Sequence, residues 1–300
     1  MKKYYLGLTI AFVIAIIIAM IGLINNGFRS VGSNSNEGPF VVWGNPKSRP
    51  VKTLRTAAPF QDILINAETA NIYIKVGGKY QVRFQSNQKA KLKVTNQQLE
   101  VKQSDSSEPA SIINIIHNGY SKTKRMGDLF ITVPDANTLK NIKITNGDGK
   151  INLQNLNLKS LKIDNDDQNI NLTKVKVAEH AHINSDDSVV NISNSQLKNL
   201  YLAADDGKFL VRNSQFSNLD LEAEEIRIKM NNTSLIGNNR VTGDEVKLDL
   251  QNVSEPLNYT INEDTEVYYK GKHYDGYHDH NLQGANLLYV NCDDSTVMIN

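Results

Sequence analysis

Between residues 139 and 252, apolar residues return to fixed places in a frame of 19 or 20 residues. With Leu139 as position 0 they stand at +3, +5, +12 and +14, as Ile142, Ile144, Ile151 and Leu153. The frame restarts at Leu158, Ala178, Leu197, Phe216 and Ile236, and outlying copies begin at Phe60 and Ala285. Across all these frames the sole polar residue at a core position is Asn239. Apolar residues spaced by two mark a short strand with one face inward. A unit of about 20 residues cannot bury that face alone and must stack on its neighbours. The pattern therefore predicts an all-β chain, a single-stack parallel β-solenoid of 19–20-residue coils.

The corners of such a coil need tight turns. Position +16 reads Asn155, Lys174, Asn194, Asn213, Asn232 and Asn252. Asparagine tolerates the left-handed backbone and bonds its own turn, so this column predicts a stacked Asn ladder. Residues 79–138 lose the frame but keep strict alternation. Tyr80, Val82 and Phe84 make one strand, Leu92 and Val94 pair with Leu99 and Val101 across a turn, and Leu129, Ile131 and Val133 make another. These strands are expected to run antiparallel and to cap the N-terminal end, whose open edge would otherwise recruit other chains. Leu257, Tyr259 and Ile261 suggest a degraded coil, 262–284 is expected to be a loop, and 285–300 the coil that closes the chain.

Before the solenoid lies an uncharged run. After Lys2 and Lys3, no charged residue occurs from Tyr4 to Phe28. About 20 apolar residues suffice for a helix across a bilayer, and lysines before it orient the N-terminus inward. The expected layout is a cytoplasmic tail at 1–3, a transmembrane anchor at 4–24, an extracellular stalk at 25–56 and the solenoid domain at 57–300. A single-pass cell-membrane protein with an extracellular C-terminal domain follows. One cysteine, Cys292, excludes an intrachain disulfide. Net charge is only +1, but residues 50–126 carry 12 Lys and Arg against 5 Asp and Glu, and residues 254–300 carry 2 against 8. A basic base suits an anionic membrane or wall polymer. Nothing in the pattern points to nucleic acid.

Positions +8 and +9 hold the candidate chemistry. They read Gly147-Asp148, Asp166-Asp167, Asp186-Asp187, Asp205-Asp206, Glu224-Glu225 and Asp244-Glu245, then Asp293-Asp294 in the last coil. Stacked carboxylates repel, so they either splay into solvent as turn residues or gather a cation such as Ca²⁺ or a charged partner. A second cluster, His273, His278 and His280, could ligate a metal, though its spacing matches no known site. His180 and His182 point outward from one strand. No phosphate loop, nucleophile elbow or zinc-protease motif occurs, and no catalytic residue is identified.

The Phe60 coil, the strand ending Phe130-Ile131-Thr132-Val133-Pro134, and the repeated Leu-x-x-Leu-x-Ile-x-Asn-x-Asp units resemble the putative-adhesin β-solenoid family of bacterial surface proteins. That family includes the LiaG-like, membrane-anchored proteins encoded beside cell-envelope stress systems. The resemblance implies a non-enzymatic surface protein binding a cell-wall polymer, host matrix or envelope-stress protein, and it brings no catalytic residues. Its Asn-Gly-Asp-Gly turn survives here only at Asn146–Gly149. Two other readings stay open: a polysaccharide-active β-helix enzyme, and a structural spacer with no specific ligand.

Overall fold

The computed structural model describes residues 51–86, 88–104, 127–253, 257–262, 264–274 and 286–300, together with 12–14, 16 and the strand backbone of 31–34, 38–42, 111–113 and 278–280. The chain divides into two units, one of residues 1–50 and 106–125 and the other of residues 51–105 and 126–300. In the first, strand Val31–Asn34 pairs antiparallel with both Gly38–Val42 and Ser111–Ile113. Part of the stretch expected to be a stalk, 25–56, is thus strand, and Lys52–Thr56 belongs to the large sheet of the second unit. The expected anchor, 4–24, lies outside the described residues save for 12–14 and 16, which are helical. Among the described residues no helix is long and apolar enough to cross a membrane.

The second unit is a stack of coils in parallel register. Ile142 pairs with Ile63 on one side and Leu161 on the other, and Ile144 with Ile65 and Ile163. Ile151 sits between Ile72 and Ile170 in the same way. All these side chains are buried, as the inward columns require. Burying one such side chain stabilises the fold by about 1.5–3 kcal/mol, so each added coil strengthens both neighbours. Asn239, the exception, is also buried. Its amide is satisfied there, accepting from Leu219 N at 3.1 Å and donating to Gly237 O at 3.2 Å and Leu287 O at 3.1 Å.

Each coil has a third face that the four-position pattern leaves out. Leu156 and Leu158 pair with Val175 and Val177, and the column continues from Val177 through Leu197 and Phe216 to Leu235. The column residues are therefore Val177 and Leu235, while Ala178 and Ile236, taken as frame starts, are exposed. The extra residue of that 20-residue coil is absorbed as a bulge between Val177 and Ala181. The corner at +16 behaves as expected. Asn155, Lys174, Asn194, Asn213, Asn232 and Asn252 all adopt left-handed φ, between 48° and 55°. Asn232 Nδ2 donates to Asn213 Oδ1 at 2.7 Å along the ladder.

At both ends the stacking order departs from chain order. The last coil does not close the stack. Leu288 and Val290 lie between Asn239 and Val241 on one side and Tyr259 and Ile261 on the other. Strands Asn258–Ile261 and Thr265–Tyr269 form an outer layer beyond that coil, with Val267 and Tyr269 stacked on Val297 and Ile299. Beyond it, Lys272–Tyr274 pairs antiparallel with Thr265–Tyr269 and His278–His280 with Asn258–Ile261, so parts of the expected 262–284 loop are strand. At the other end, Gln98–Ser104 stacks on Asp62–Ala67 and Gly127–Val133 on Ala70–Val76, both parallel. Two separated pieces thus make one coil-like layer, where antiparallel strands were expected. The antiparallel cover comes outside it, from Gln81–Ser86, Lys89–Thr95 and Lys52–Thr56. Asn96 and Gln97, both left-handed, form the two-residue hairpin turn within that cover.

Candidate functional site

The carboxylate ladder stands where each coil turns from its first face to its second. Its floor is a column of small or amide residues at +7: Ala67, Asn146, Asn165, Ser185, Ala204, Ala223 and Cys292, all buried, with half-buried Gly243. Asn146 Nδ2 donates to Asn165 Oδ1 at 2.9 Å, and Asn165 Nδ2 to Asp167 O at 2.7 Å. At Gly243 the column admits no side chain at all. A Cβ on Gly243, whose φ is 154°, would lie 1.7 Å from Ala223 O. Cys292 completes the column. Burial pushes its thiol up to about 12, with Asp293 adding to the shift, so it stays protonated.

On that floor the carboxylates are in register. Asp148 pairs with Asp167, Asp205 with Glu224, Glu224 with Asp244, and Asp244 with Asp293. From the fourth frame onward the second acidic residue takes the left-handed conformation that makes the bend, as in Asp206, Glu225, Glu245 and Asp294. In Asp166-Asp167 that task falls to Gln168 instead. Every member is exposed except half-buried Asp148. Their mutual repulsion shows in two carboxyls. Asp186 is held above the ordinary aspartate range by partial burial and then by Asp205, Asp166, Asp187 and Asp167. Glu225 is raised by the charges of Asp206 and Glu245 and by a hydrogen bond with Asp206. The ridge is thus a continuous line of negative charge with protons held more tightly at its crowded points.

The histidines are placed apart from it. His180 and His182 lie on the first face, and the His182 ring stacks on Tyr201 at 4.9 Å. Partial burial, then Lys162, lowers the His182 pKa and keeps the ring neutral at pH 7. His273 packs against Tyr268 at 4.8 Å, while the side chains of His278 and His280 lie outside the described residues. Among the described residues, no three His, Cys, Asp or Glu side chains are grouped to hold a metal ion.

Two features of the outer surface escape the sequence pattern. On the first face Tyr201 donates to Glu222 at 2.7 Å, a bond that raises the phenol above its usual range. Arg240 grips Asp220 through two bonds of 2.8 and 2.9 Å. These side chains lie one coil apart; the 20-residue offset fits Arg240 and Asp220, whereas Tyr201 reaches diagonally to Glu222, 21 residues on. The second feature is a shallow groove of about 280 Å³ at the +16 corner, lined by Asn194, Gln196, Asn213, Gln215, Asn232 and Ser234 among others. Its signal is the repeated Asn-Ser-Gln at 194–196 and 213–215.

No curated protein matches the chain in sequence. Among solved structures, a putative adhesin from Bacteroides fragilis NCTC 9343 is similar at 13% identity and a TM-score of 0.39, over 84% of this chain and 98% of that one. A putative cell adhesion protein from Clostridium sporogenes ATCC 15579 is similar at 10% identity and a TM-score of 0.22, over 83% and 99%. The sequence model of the Toastrack DUF4097 family matches residues 60–264, from the first coil to just before strand Thr265–Tyr269 of the outer layer, and the chain belongs to that family.

Proposed function

We propose that this protein is a non-enzymatic, membrane-anchored surface protein whose solenoid binds an extended, repeating partner, as an adhesin does. The observation that carries this reading is the acidic ridge, carboxylates repeated at the same corner of successive coils and paired in register at Asp148–Asp167 and from Asp205 through Glu224 and Asp244 to Asp293. Successive coils repeat every ~4.8 Å, so a ligand with regularly spaced cationic or cation-bridged groups meets the same side chain at each step. Many weak contacts of this kind add up through multivalency. An enzyme acting on polysaccharide would instead need two carboxylates facing each other across a bound sugar, whereas these stand side by side along an outer corner.

Anchoring rests on the uncharged run at 4–24 preceded by Lys2 and Lys3, which places the solenoid outside the cell. The detergent-solubilised full chain, offered purified cell-wall polymers and matrix proteins with and without Ca²⁺, tests the binding. Saturable binding lost on changing Asp166, Asp167, Asp186 and Asp187 to lysine supports the reading. Binding that survives those changes removes the ridge from it, and binding to none of these ligands leaves the solenoid a spacer.

A further inference from the structure

The first face of the stack carries a second charged surface at its N-terminal end. Lys89, Lys91 and Lys93 alternate with half-buried Ala90, Leu92 and Val94 on strand Lys89–Thr95, so the three lysines share the outer side. Across the sheet one row on that side runs through Lys93, Glu100, Leu64, Lys143 and Lys162, and the adjacent row through Lys91, Lys102, Asn66, Thr145 and Asp164. Five neighbouring strands span about 20 Å and display six lysines. The carboxylates among them are engaged. Glu100 pairs with Lys102 at 2.6 Å, Asp164 with Lys162 at 3.6 Å, and Asp62 accepts from Asn141 Nδ2 at 2.7 Å. Among the described residues Lys91, Lys93 and Lys143 enter no ion pair.

Lysine on an edge strand blocks the addition of foreign strands, which accounts for Lys89–Thr95. It does not account for Lys143, three strands further in, or for Lys162 beyond it. We infer that this lysine face lies against the anionic headgroups of the membrane that holds the chain. The inference rests on the anchoring reading above. Charge complementarity calls for an anionic partner, and chain connectivity favours lipid over a soluble polymer. The chain enters the large sheet at Lys52–Thr56, at this same end of the stack, and only residues 25–51 separate that entry from the expected anchor at 4–24. Each lysine near an anionic leaflet strengthens binding roughly five-fold.

The test uses the full chain with Thr145→Cys, an exposed position beside Lys143, carrying a fluorophore; Cys292 is buried and stays unlabelled. Vesicles are made of phosphatidylcholine alone or with about 30% phosphatidylglycerol, each doped with a headgroup-borne quencher. Quenching is expected only with phosphatidylglycerol, and it should vanish at about 1 M salt, where screening acts within roughly 3 Å. It should also vanish in K91E/K93E/K143E, whose affinity for the anionic surface falls by well over about a hundred-fold because each site changes by two charges. The milder K91Q/K93Q/K143Q gives an intermediate loss, and circular dichroism checks that both variants fold. Association with both vesicles but no selective quenching overturns the lysine face and leaves anchoring intact. Association with phosphatidylglycerol vesicles alone, lost in the variant, removes the anchor and keeps the face. A fluorescence change with soluble polyphosphate but none with vesicles makes the face a polymer site and overturns the lipid proposal.

Discussion

At the N-terminal end of the stack, Gln98–Ser104 and Gly127–Val133 make one layer from two separated pieces, and antiparallel strands cover it. At the C-terminal end, the last coil slips between the coil of Val241 and that of Ile261, and antiparallel strands again lie outside. The two ends share a construction and differ in charge. Lysines gather on the first, whereas the acidic ridge runs along the stack and reaches the second at Asp293-Asp294. The inward columns are alike throughout, because any residue placed there must be apolar or, like Asn239, fully hydrogen-bonded. The outward columns answer to no such demand, so the surface can be basic at one end and acidic at the other on one scaffold. Interleaving chain segments at the ends also ties distant parts of the sequence together, which a simple ramp of coils does not do.

Removing residues 286–300 is the strongest way to break this comparison. In a stack that followed chain order the loss would trim one outer coil. Here it opens a gap beneath Tyr259 and Ile261. Hydrogen exchange is expected to show residues 236–270 losing protection while 139–212 keep theirs. Ile183→Asp places a charge in a fully buried column of the middle coils, and it should cost on the order of 4–5 kcal/mol in urea unfolding.

The middle of the chain was legible because one signal, an apolar pair at each of two faces, recurs with Asn239 as its one exception. The third face was not, since Ser195, Ser214 and Thr233 occupy buried places in it. Ala178 and Ile236 also disguise the true column residues beside them, Val177 and Leu235. Layer order at the ends was illegible for a different reason. Parallel strands with similar apolar pairs, such as those of Leu248 and Val297, carry no address that tells which lies next to which. The register of the acidic ridge was readable from spacing alone. The coupling of Tyr201 to Glu222 and of Arg240 to Asp220 depends on side-chain reach between coils.

Smaller changes sharpen the contrast between floor and surface. Gly243→Ala adds a Cβ against Ala223 O at a backbone angle that favours glycine, and a loss of about 2–4 kcal/mol in chemical denaturation is expected. Asp186→Asn acts in the opposite direction. The folded state raises the pKa of this carboxyl, so its ionised form is disfavoured there. The variant should melt about a degree higher at pH 7. That advantage fades as the pH falls through the raised folded pKa and Asp186 takes up its proton, which melting curves across the acid range will follow.

The most direct measurement of the central claim, that the two charged surfaces serve separate partners, is one binding experiment on two full-length variants. Ridge-reversed protein (lysine at 166, 167, 186 and 187) and K91E/K93E/K143E are each offered a repeating cell-surface ligand retained by the wild type and anionic vesicles. The account predicts that the first variant loses the ligand and keeps its lysine face on the headgroups, while the second does the reverse. Equal loss of both interactions in both variants, or no loss in either, would contradict it.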